Sequence, residues 1–270
     1  MSEYVNPSSL AKEKDPDVIT VIVGIAHEGM TGCEAMVNRL SNFKHLGHLE
    51  ERMKLQNKVP RFEFLQVTIG RMHVHVAREE MAKKALEANA DYLFMIDDDM
   101  ICPDDLFEKL YANDKDIVAP LAFTRNFPHK PVMYRCVNGW DSVSNCDTFT
   151  NFAIMNYPKD KLVQVDAVGF GAVLIKMDVL KKMSSPWFMN PYKTGEDINF
   201  CYEAKKYGFT TWMDTRIKLG HVSHPIVVTE EYVERQRKDY NMEIERRNGE
   251  YKKYQGNGDD SKEPVLVLGE

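Results

Sequence analysis

Residues 91–100 read Asp-Tyr-Leu-Phe-Met-Ile-Asp-Asp-Asp-Met, and the architecture of the chain can be worked out from this segment. Residues 92–96 are a short apolar run that predicts a buried β-strand. Three carboxylates, Asp97, Asp98 and Asp99, follow it directly. In open α/β sheets, ligands bind beyond the carboxyl ends of the strands, so these acidic residues are expected at a ligand-binding edge.

The segments that precede this strand alternate between strand and helix patterns. Residues 18–23 are a β-branched run typical of a strand buried on both faces, and residues 61–67 alternate apolar and polar side chains. A helix is predicted from Cys33, and residues 74–89 carry apolar side chains at helical spacing. This alternation predicts an open α/β sheet with right-handed crossovers.

The pattern changes after Phe123. Residues 124–166 are rich in aromatic residues, Asn and Pro, which favours hairpins or long loops that we expect to face a substrate. The other predicted elements are a helix at 103–110, strands at 116–121, 167–175 and 210–213, and helices at 178–183 and 194–207, the last ended by Gly208.

The composition excludes several classes of protein. No apolar run approaches the roughly 20 residues that span a bilayer, so no integral membrane segment is expected. Residues 1–16 lack the apolar core of a signal peptide, and the 5 cysteines form no C-x-x-C pair, which indicates a cytoplasmic rather than a secreted, disulfide-rich protein. A net charge of −6 weighs against nucleic acid as the main partner.

The acidic residues 97–99 have two interpretations. Three adjacent carboxylates repel one another unless a cation or hydrogen-bond donors offset the repulsion, and a hard divalent cation would do so. Alternatively, Asp99 or a neighbour caps the helix that begins near Pro103, and the others face water. We favour the metal, because capping needs only one acidic residue.

Thr194-Gly-Glu-Asp197 opens a predicted helix and is also ambiguous. Thr194 and Asp197 have the spacing of a capping box, which is the preferred interpretation of this segment alone. Glu196 or Asp197 could instead act as a general base toward an acceptor hydroxyl.

Histidine, glycine and arginine positions are less specific. His221 and His224 follow a strand, and His221 is either a further metal ligand or a surface histidine, whereas for His73 and His75 we expect no metal. Gly169-Phe-Gly171 lacks the rest of a dinucleotide fingerprint and predicts close packing or a turn. Arg78 either offsets charge near a pyrophosphate site or is solvated.

Taken in order, these segments resemble the GT-A glycosyltransferases, especially glycosyltransferase family 2 and related bacterial and phage enzymes. The matching stretches are residues 21–25, 77–81, 91–100, 168–175, 195–201 and 219–221. The resemblance implies an α/β GT-A fold, a Rossmann-like, mixed but mostly parallel sheet flanked by helices, in a single large domain with a C-terminal helical extension.

The resemblance also implies a division of the chain. Residues 1–16 are expected to be a flexible N-terminus and residues 17–228 the GT-A domain, with a nucleotide-sugar-binding half at 17–123 and an acceptor-binding half at 124–228. Residues 229–254 carry mixed charges and predict a solvated helix, and residues 255–270 a mobile tail.

Residue by residue, the resemblance implies a metal-dependent site. Asp97 and Asp99 match the D-x-D pair: Asp99 would ligate Mn2+ or Mg2+ on the donor diphosphate, and Asp97 would meet the ribose or the metal. His221 matches the histidine that completes the metal site. The remaining positions expected to bind the nucleotide-sugar donor are Asp98, Arg78, Gly169 and Gly171.

The activity implied by the resemblance is transfer of a hexosyl or pentosyl group from a nucleotide-diphosphate sugar to an acceptor hydroxyl. Asp197 matches the catalytic base of inverting members, with Glu196 beside it, whereas a retaining enzyme would not need that base. The acceptors left open are a carbohydrate, a protein, a lipid-linked sugar and a modified DNA base.

Two other functions stay open. A haloacid dehalogenase-type phosphatase also has a D-x-D after an apolar strand and would use Asp97 as its nucleophile. In that class the motif lies near the start of the domain, whereas three predicted strands come first here. The second is a non-catalytic nucleotide-sugar-binding protein.

Overall fold

A central sheet of eight strands organises the computed structural model, which describes residues 14–27, 32–70, 72–141, 146–189, 194–223, 226–235, 245–246 and 267–269. Its strands are β1 (Val18–His27), β2 (Arg61–Gly70), β3 (Tyr92–Asp97), β5 (Ile117–Leu121), β8 (Leu162–Val165), β10 (Ala172–Lys176), β11 (Thr211–Lys218) and β14 (Val267–Gly269). They lie in the order β14-β8-β11-β5-β10-β3-β1-β2. The pairs β1–β2, β1–β3 and β5–β11 are parallel, and β10 runs antiparallel between β3 and β5.

Two three-stranded sheets lie beside the central one. One pairs β4 (Met100–Ile101) with β12 (Gly220–Ser223) and β13 (Ile226–Val228). The other contains the hairpin of β6 (Met133–Asp141) and β7 (Cys146–Ala153) and the short strand β9 (Ala167–Val168). The helices are α1 (Cys33–Leu55), α2 (Val74–Glu87), α3 (Leu106–Tyr111), α4 (Met177–Lys182), α5 (Glu196–Lys206) and α6 (Glu230–Arg235).

The hydrophobic core has two layers, one on each face of the central sheet. Because successive side chains of a strand point to opposite faces, Leu93 and Met95 of β3 pack on the side of α2, α4 and α5, while Phe94 and Ile96 pack on the side of α1 and α3. Both layers are fully buried at β3. Because β3 is packed on both faces, Asp97 at its end has a fixed position at the edge of the sheet.

The predicted fold class is confirmed: the chain is a mixed α/β structure with helices on both faces of one large sheet. The left-handed conformation of Gly208, φ +87°, ends α5 as expected. One prediction is wrong, because residues 167–175 do not form a single strand. β9 and β10 belong to different sheets and are separated by Gly169, Phe170 and Gly171.

The C-terminal part of the chain is only partly described. α6 covers the start of the predicted charged helix, and the remainder of that helix, apart from residues 245–246, lies outside the described residues. Of the predicted tail, residues 267–269 form β14 and pair with β8. The predicted flexible N-terminus is described only from residue 14. Across the described parts of the chain, no helix is both long and apolar enough to cross a bilayer.

The central position of β3 gives a first prediction. Leu93→Ala should lower the free energy of unfolding by about 2–5 kcal/mol, because the side chain is 0% exposed and leaves a cavity. Leu65→Ala on the edge strand β2 is the matched control, since Leu65 is 38% exposed and should cost less than about 1 kcal/mol. Urea unfolding measures both, and equal losses would contradict the assignment of β3 to the core.

Candidate active site

A cleft of about 430 Å³ opens beside the carboxyl end of β3. Five separate segments form its walls: the end of β3, the chain that follows β5, the connection between β9 and β10, the start of α5, and β12. Its lining residues include Asp97, Arg125, Gly169, Gly171, Asp197 and His221. Acidic and basic side chains that are far apart in sequence therefore meet in one cavity.

Asp97 is held by a buried arginine. Both of its carboxylate oxygens accept hydrogen bonds from Nη2 of Arg78, at 2.8 and 3.0 Å, and the Arg78 side chain is only 4% exposed. Nη1 of Arg78 pairs with Glu196, and Nη2 also donates to the carbonyl oxygen of Phe170. Burial raises the pKa of Asp97, and the charge and hydrogen bonds of Arg78 oppose this rise only in part.

Asp99 faces a different set of partners. Its Oδ2 lies 3.1 Å from Nε2 of His221 and 3.2 Å from a guanidinium nitrogen of Arg125. Burial acts to raise the pKa of Asp99, but the hydrogen bond and charge of His221 and the charge of Arg125 outweigh it, so this pKa is lowered. For His221, burial acts to lower the pKa, and the contact with Asp99 outweighs it, so this pKa is raised.

The tautomer of His221 follows from its second contact. Nδ1 lies 2.7 Å from the carbonyl oxygen of Phe123, and because a carbonyl can only accept, Nδ1 carries a proton. Nε2 therefore donates to Asp99 when the ring is doubly protonated, and in the neutral ring Nε2 carries the lone pair that could bind a cation. A ligating histidine is typically oriented by such a backbone carbonyl.

This donor set fits a divalent cation. Oδ2 of Asp99 and Nε2 of His221 lie 3.1 Å apart, and a carboxylate oxygen and a neutral imidazole nitrogen are both ligands that Mn2+ accepts. Among the described residues, no three His, Cys, Asp or Glu side chains form a group that could hold a metal ion by themselves. The other ligands would be phosphate oxygens or water, as is usual for Mg2+ sites.

Asp197 lies in the first turn of α5 and points into the same cleft. Burial, together with the nearby Glu196, raises its pKa to about 6, although the charge of Arg78 opposes the rise. One carboxylate oxygen accepts the backbone N–H of Ile198 at 2.8 Å, and the other faces the N–H of Phe170 at 3.4 Å. A carboxylate with this pKa is ionised at pH 7 and is basic enough to accept a proton.

The capping box predicted for this segment is wrong. Gly195 is the N-cap of α5 and makes no side-chain capping bond, and Asp197 does not reach back to Thr194. The hydroxyl of Thr194 is buried without a hydrogen-bond partner among the described residues. The cap proposed for Asp99 is also wrong, because α3 begins after Asp105, and Asp99 faces His221.

Gly169 and Gly171 occupy positions of close approach, as the sequence predicts. A Cβ at Gly169 would lie 2.8 Å from Cβ of Val132, and one at Gly171 would lie 3.1 Å from the sulfur of Met100. The carbonyl oxygen of Gly171 also accepts the N–H of Asp97 at 2.8 Å. The two glycines therefore let the β9–β10 connection pack closely against Val132 and Met100, on either side of the cleft.

The other predicted positions lie around this centre. Arg78 and Glu196 are buried, and Asp98 is half-buried in the turn between β3 and β4. The rings of His73 and His75 stack on each other at 5.7 Å. His224 lies outside the described residues.

Sequence reasoning missed three side chains that shape the site. Arg125 lies at the carboxyl side of β5, where the sheet-edge rule could have found it. Glu79 accepts three hydrogen bonds from the segment 185–188, which leads toward α5. Arg39 on α1 donates to backbone carbonyls beside the acidic residues, and no pattern in the sequence marks it.

No protein-family model and no curated protein matches this chain. Among solved structures, A197 from STIV superposes with a TM-score of 0.51 at 18% identity, over 79% of this chain and 91% of that one. GalNAc-T7 with UDP, GalNAc and Mn2+ gives 0.45 at 16% identity, over 75% and 43%, and UDP-glucose pyrophosphorylase complexed with UDP-glucose gives 0.44 at 10%, over 87% and 99%. The likeness to A197 concerns the fold alone, and the other two superpose too loosely to add to it.

The raised pKa of Asp197 predicts that ionisation of this carboxyl lowers the stability of the folded protein. A pKa raised in the folded state gives stability that is complete below pH 4 and is lost as the pH rises through about 6. Asp197→Asn, which stays neutral, should therefore stabilise the protein at pH 8 by about 3 kcal/mol and have no such effect at pH 4. Urea unfolding at the two pH values tests this, and a gain that does not depend on pH would contradict it.

Proposed function

We propose that this chain is a metal-dependent glycosyltransferase that moves a sugar from a nucleoside-diphosphate sugar to an acceptor hydroxyl with inversion. One observation carries the proposal: a carboxylate with a raised pKa, Asp197, shares a single cleft with His221, whose Nε2 is oriented toward Asp99. A base for the acceptor and ligands for a cation on the donor are the two groups that this reaction needs.

Asp197 is the proposed general base. Inverting transfer requires removal of the acceptor proton as the hydroxyl oxygen attacks the anomeric carbon, and a carboxylate oxygen of Asp197 would receive that proton. Its backbone hydrogen bonds fix the orientation of the carboxylate at the cleft wall. Glu196 is not placed to act directly, since it is buried and paired with Arg78.

Asp99 and His221 are the proposed cation ligands. A divalent cation bound there would supply Lewis-acid stabilisation of the negative charge that develops on the departing diphosphate. Arg125 also lines the cleft, and its side chain is 58% exposed, so it can turn from Asp99 toward the phosphates. Arg125 would bind the diphosphate oxygens and offset a charge that the acidic walls would otherwise repel.

Asp97 is better suited to binding than to covalent catalysis. Each of its oxygens already accepts a hydrogen bond from Arg78, which lowers the nucleophilicity of the carboxylate and fixes its plane. The lone pairs that remain can accept hydrogen bonds from the donor ribose. This contact also weighs against the phosphatase mechanism, in which Asp97 would attack phosphorus.

The cation assignment is tested by screening nucleotide sugars and nucleoside diphosphates with Mn2+ by thermal shift, followed by an assay for nucleoside diphosphate release. A ligand that binds only the native state raises the melting temperature. Asp99→Asn should abolish the Mn2+-dependent shift and reduce turnover by at least about 100-fold. Asp114→Asn is the control, since Asp114 pairs with Lys176 away from the cleft and should change neither.

Three results would count against this proposal. Unchanged Mn2+-dependent binding in Asp99→Asn would refute the cation site. Release of inorganic phosphate from sugar phosphates would favour the phosphatase, and ligand binding without turnover would favour the non-catalytic protein. Once a donor is found, carbohydrate, protein, lipid-linked sugar and modified DNA can be compared as acceptors.

The base assignment predicts a pH profile. The ionised form of Asp197 is the active one, so kcat/KM should rise with unit slope below pH 6 and level off above it. Asp197→Asn should lower kcat by about 10²–10⁴-fold and remove this acid limb. A mutant that keeps both the rate and the limb would show that another group is the base.

A further inference from the structure

Arg39 of α1 is a buried cation with unusual partners. Its residue is 7% exposed, and among the described residues no carboxylate lies within ion-pair distance of it. Its Nη2 donates to the carbonyl oxygen of Asp97 at 2.6 Å, and the carbonyl oxygen of Met100 lies at 3.5 Å. Its Nη1 is buried without a hydrogen-bond partner. A buried guanidinium without a carboxylate partner is costly, and here the contacts with backbone carbonyls offset part of that cost.

The two carbonyls that Arg39 contacts mark the ends of the acidic turn. Asp97 ends β3 and Met100 begins β4, and Asp98 and Asp99 lie between them. A single guanidinium nitrogen therefore contacts both ends of the turn that carries Asp99. Backbone contacts hold the same turn elsewhere: the N–H of Asp97 donates to Gly171, and the N–H of Val222 donates to the carbonyl of Asp99.

We propose that Arg39 is a positioning residue, which fixes the backbone of residues 97–100 before any ligand binds. The consequence for Asp99 as a cation ligand rests on the function proposed above. The effect on the turn itself does not, because it follows from the contacts of Arg39 with the backbone.

Arg39 and Arg78 reach this turn from opposite layers of the fold. Arg78 belongs to α2, on one face of the sheet, and binds the side chain of Asp97. Arg39 belongs to α1, on the other face, and binds the main chain of Asp97. Removal of Arg39 therefore frees the main chain of the turn while the Asp97 carboxylate stays paired, so the two arginines have separable effects.

The experiment uses the whole chain with three variants. Arg39→Met keeps most of the side-chain length and removes the charge and the donors. Arg39→Lys keeps the charge and is the conservative variant, and also the fallback if Arg39→Met does not fold. Asn42→Leu is the control, because Asn42 lies on the same buried face of α1 and donates to Cys102, Pro103 and Asp104, beyond the turn.

The first measurement needs no ligand. The N–H groups of Asp97 and Val222 bond the turn to its neighbours, Gly171 and β12, and their amide hydrogen exchange should become at least tenfold faster in Arg39→Met. Exchange at Trp212 and Met213, in the β11 ladder, should stay within twofold of wild type, and Arg39→Lys should restore part of the protection. Unchanged exchange at the turn, or equal acceleration in β11, would overturn the proposal.

The second measurement is the affinity of the protein for Mn2+ without any other ligand. Electron paramagnetic resonance measures the concentration of free Mn2+ in each titration. Arg39→Met should bind Mn2+ at least tenfold more weakly than wild type, Arg39→Lys should fall between them, and Asn42→Leu should be unchanged. An equal loss of Mn2+ affinity in Asn42→Leu would show that Arg39 acts only through the general stability of α1, and would overturn the positioning role. If wild type binds no Mn2+ while the exchange result holds, the proposed function fails and the positioning of the turn by Arg39 stands.

Discussion

The buried guanidinium of Arg78 binds three segments of the cleft that are far apart in sequence. It pairs with Asp97 at the end of β3 and with Glu196 at the start of α5, and it also binds the carbonyl of Phe170 between β9 and β10. Removing one partner of a buried ion pair leaves an uncompensated charge, which costs far more than the net contribution of the intact pair. These contacts thereby fix the position of α5, and with it Asp197, relative to the acidic turn.

The charges of the cleft divide the carboxylates into two kinds. Asp99 lies between His221 and Arg125, and these partners lower its pKa, so it stays ionised, which its proposed role as a cation ligand requires. Asp197 has no direct cationic partner among the described residues, and burial raises its pKa to about 6. Environments that push the pKa values of neighbouring acids apart are how one site supports electrostatic binding and proton transfer at the same pH.

The sequence predicts the centre of this molecule better than its connections. The apolar run before Asp97 and the helical spacing after Val74 are local patterns, so β3 and α2 were predictable. The break at Gly169–Gly171 was not, because apolar residues on both sides continue a strand pattern, and close approach to Val132 and Met100 is visible only in three dimensions. Likewise, the capping box at Thr194 fails because Asp197 bonds to Ile198 and faces Phe170 instead.

The first half of α1 shows why no sequence pattern identified Arg39 as a buried residue near the acidic turn. Its buried face carries Asn38, Arg39 and Asn42, which bind the main chain of residues 97–103, while its solvent face carries Met36, Val37 and Leu40 at 56%, 67% and 59% exposure. This is the reverse of the usual amphipathic order, in which the apolar stripe faces the core.

The inversion follows from what the helix packs against. Irregular backbone leading out of a sheet has unpaired carbonyls, and buried carbonyls need donors more than they need apolar neighbours. A rule that buries the apolar face of a helix therefore places the wrong face of α1 in the core. The polar residues that this rule would expose to solvent are the ones that bind the main chain of the acidic turn.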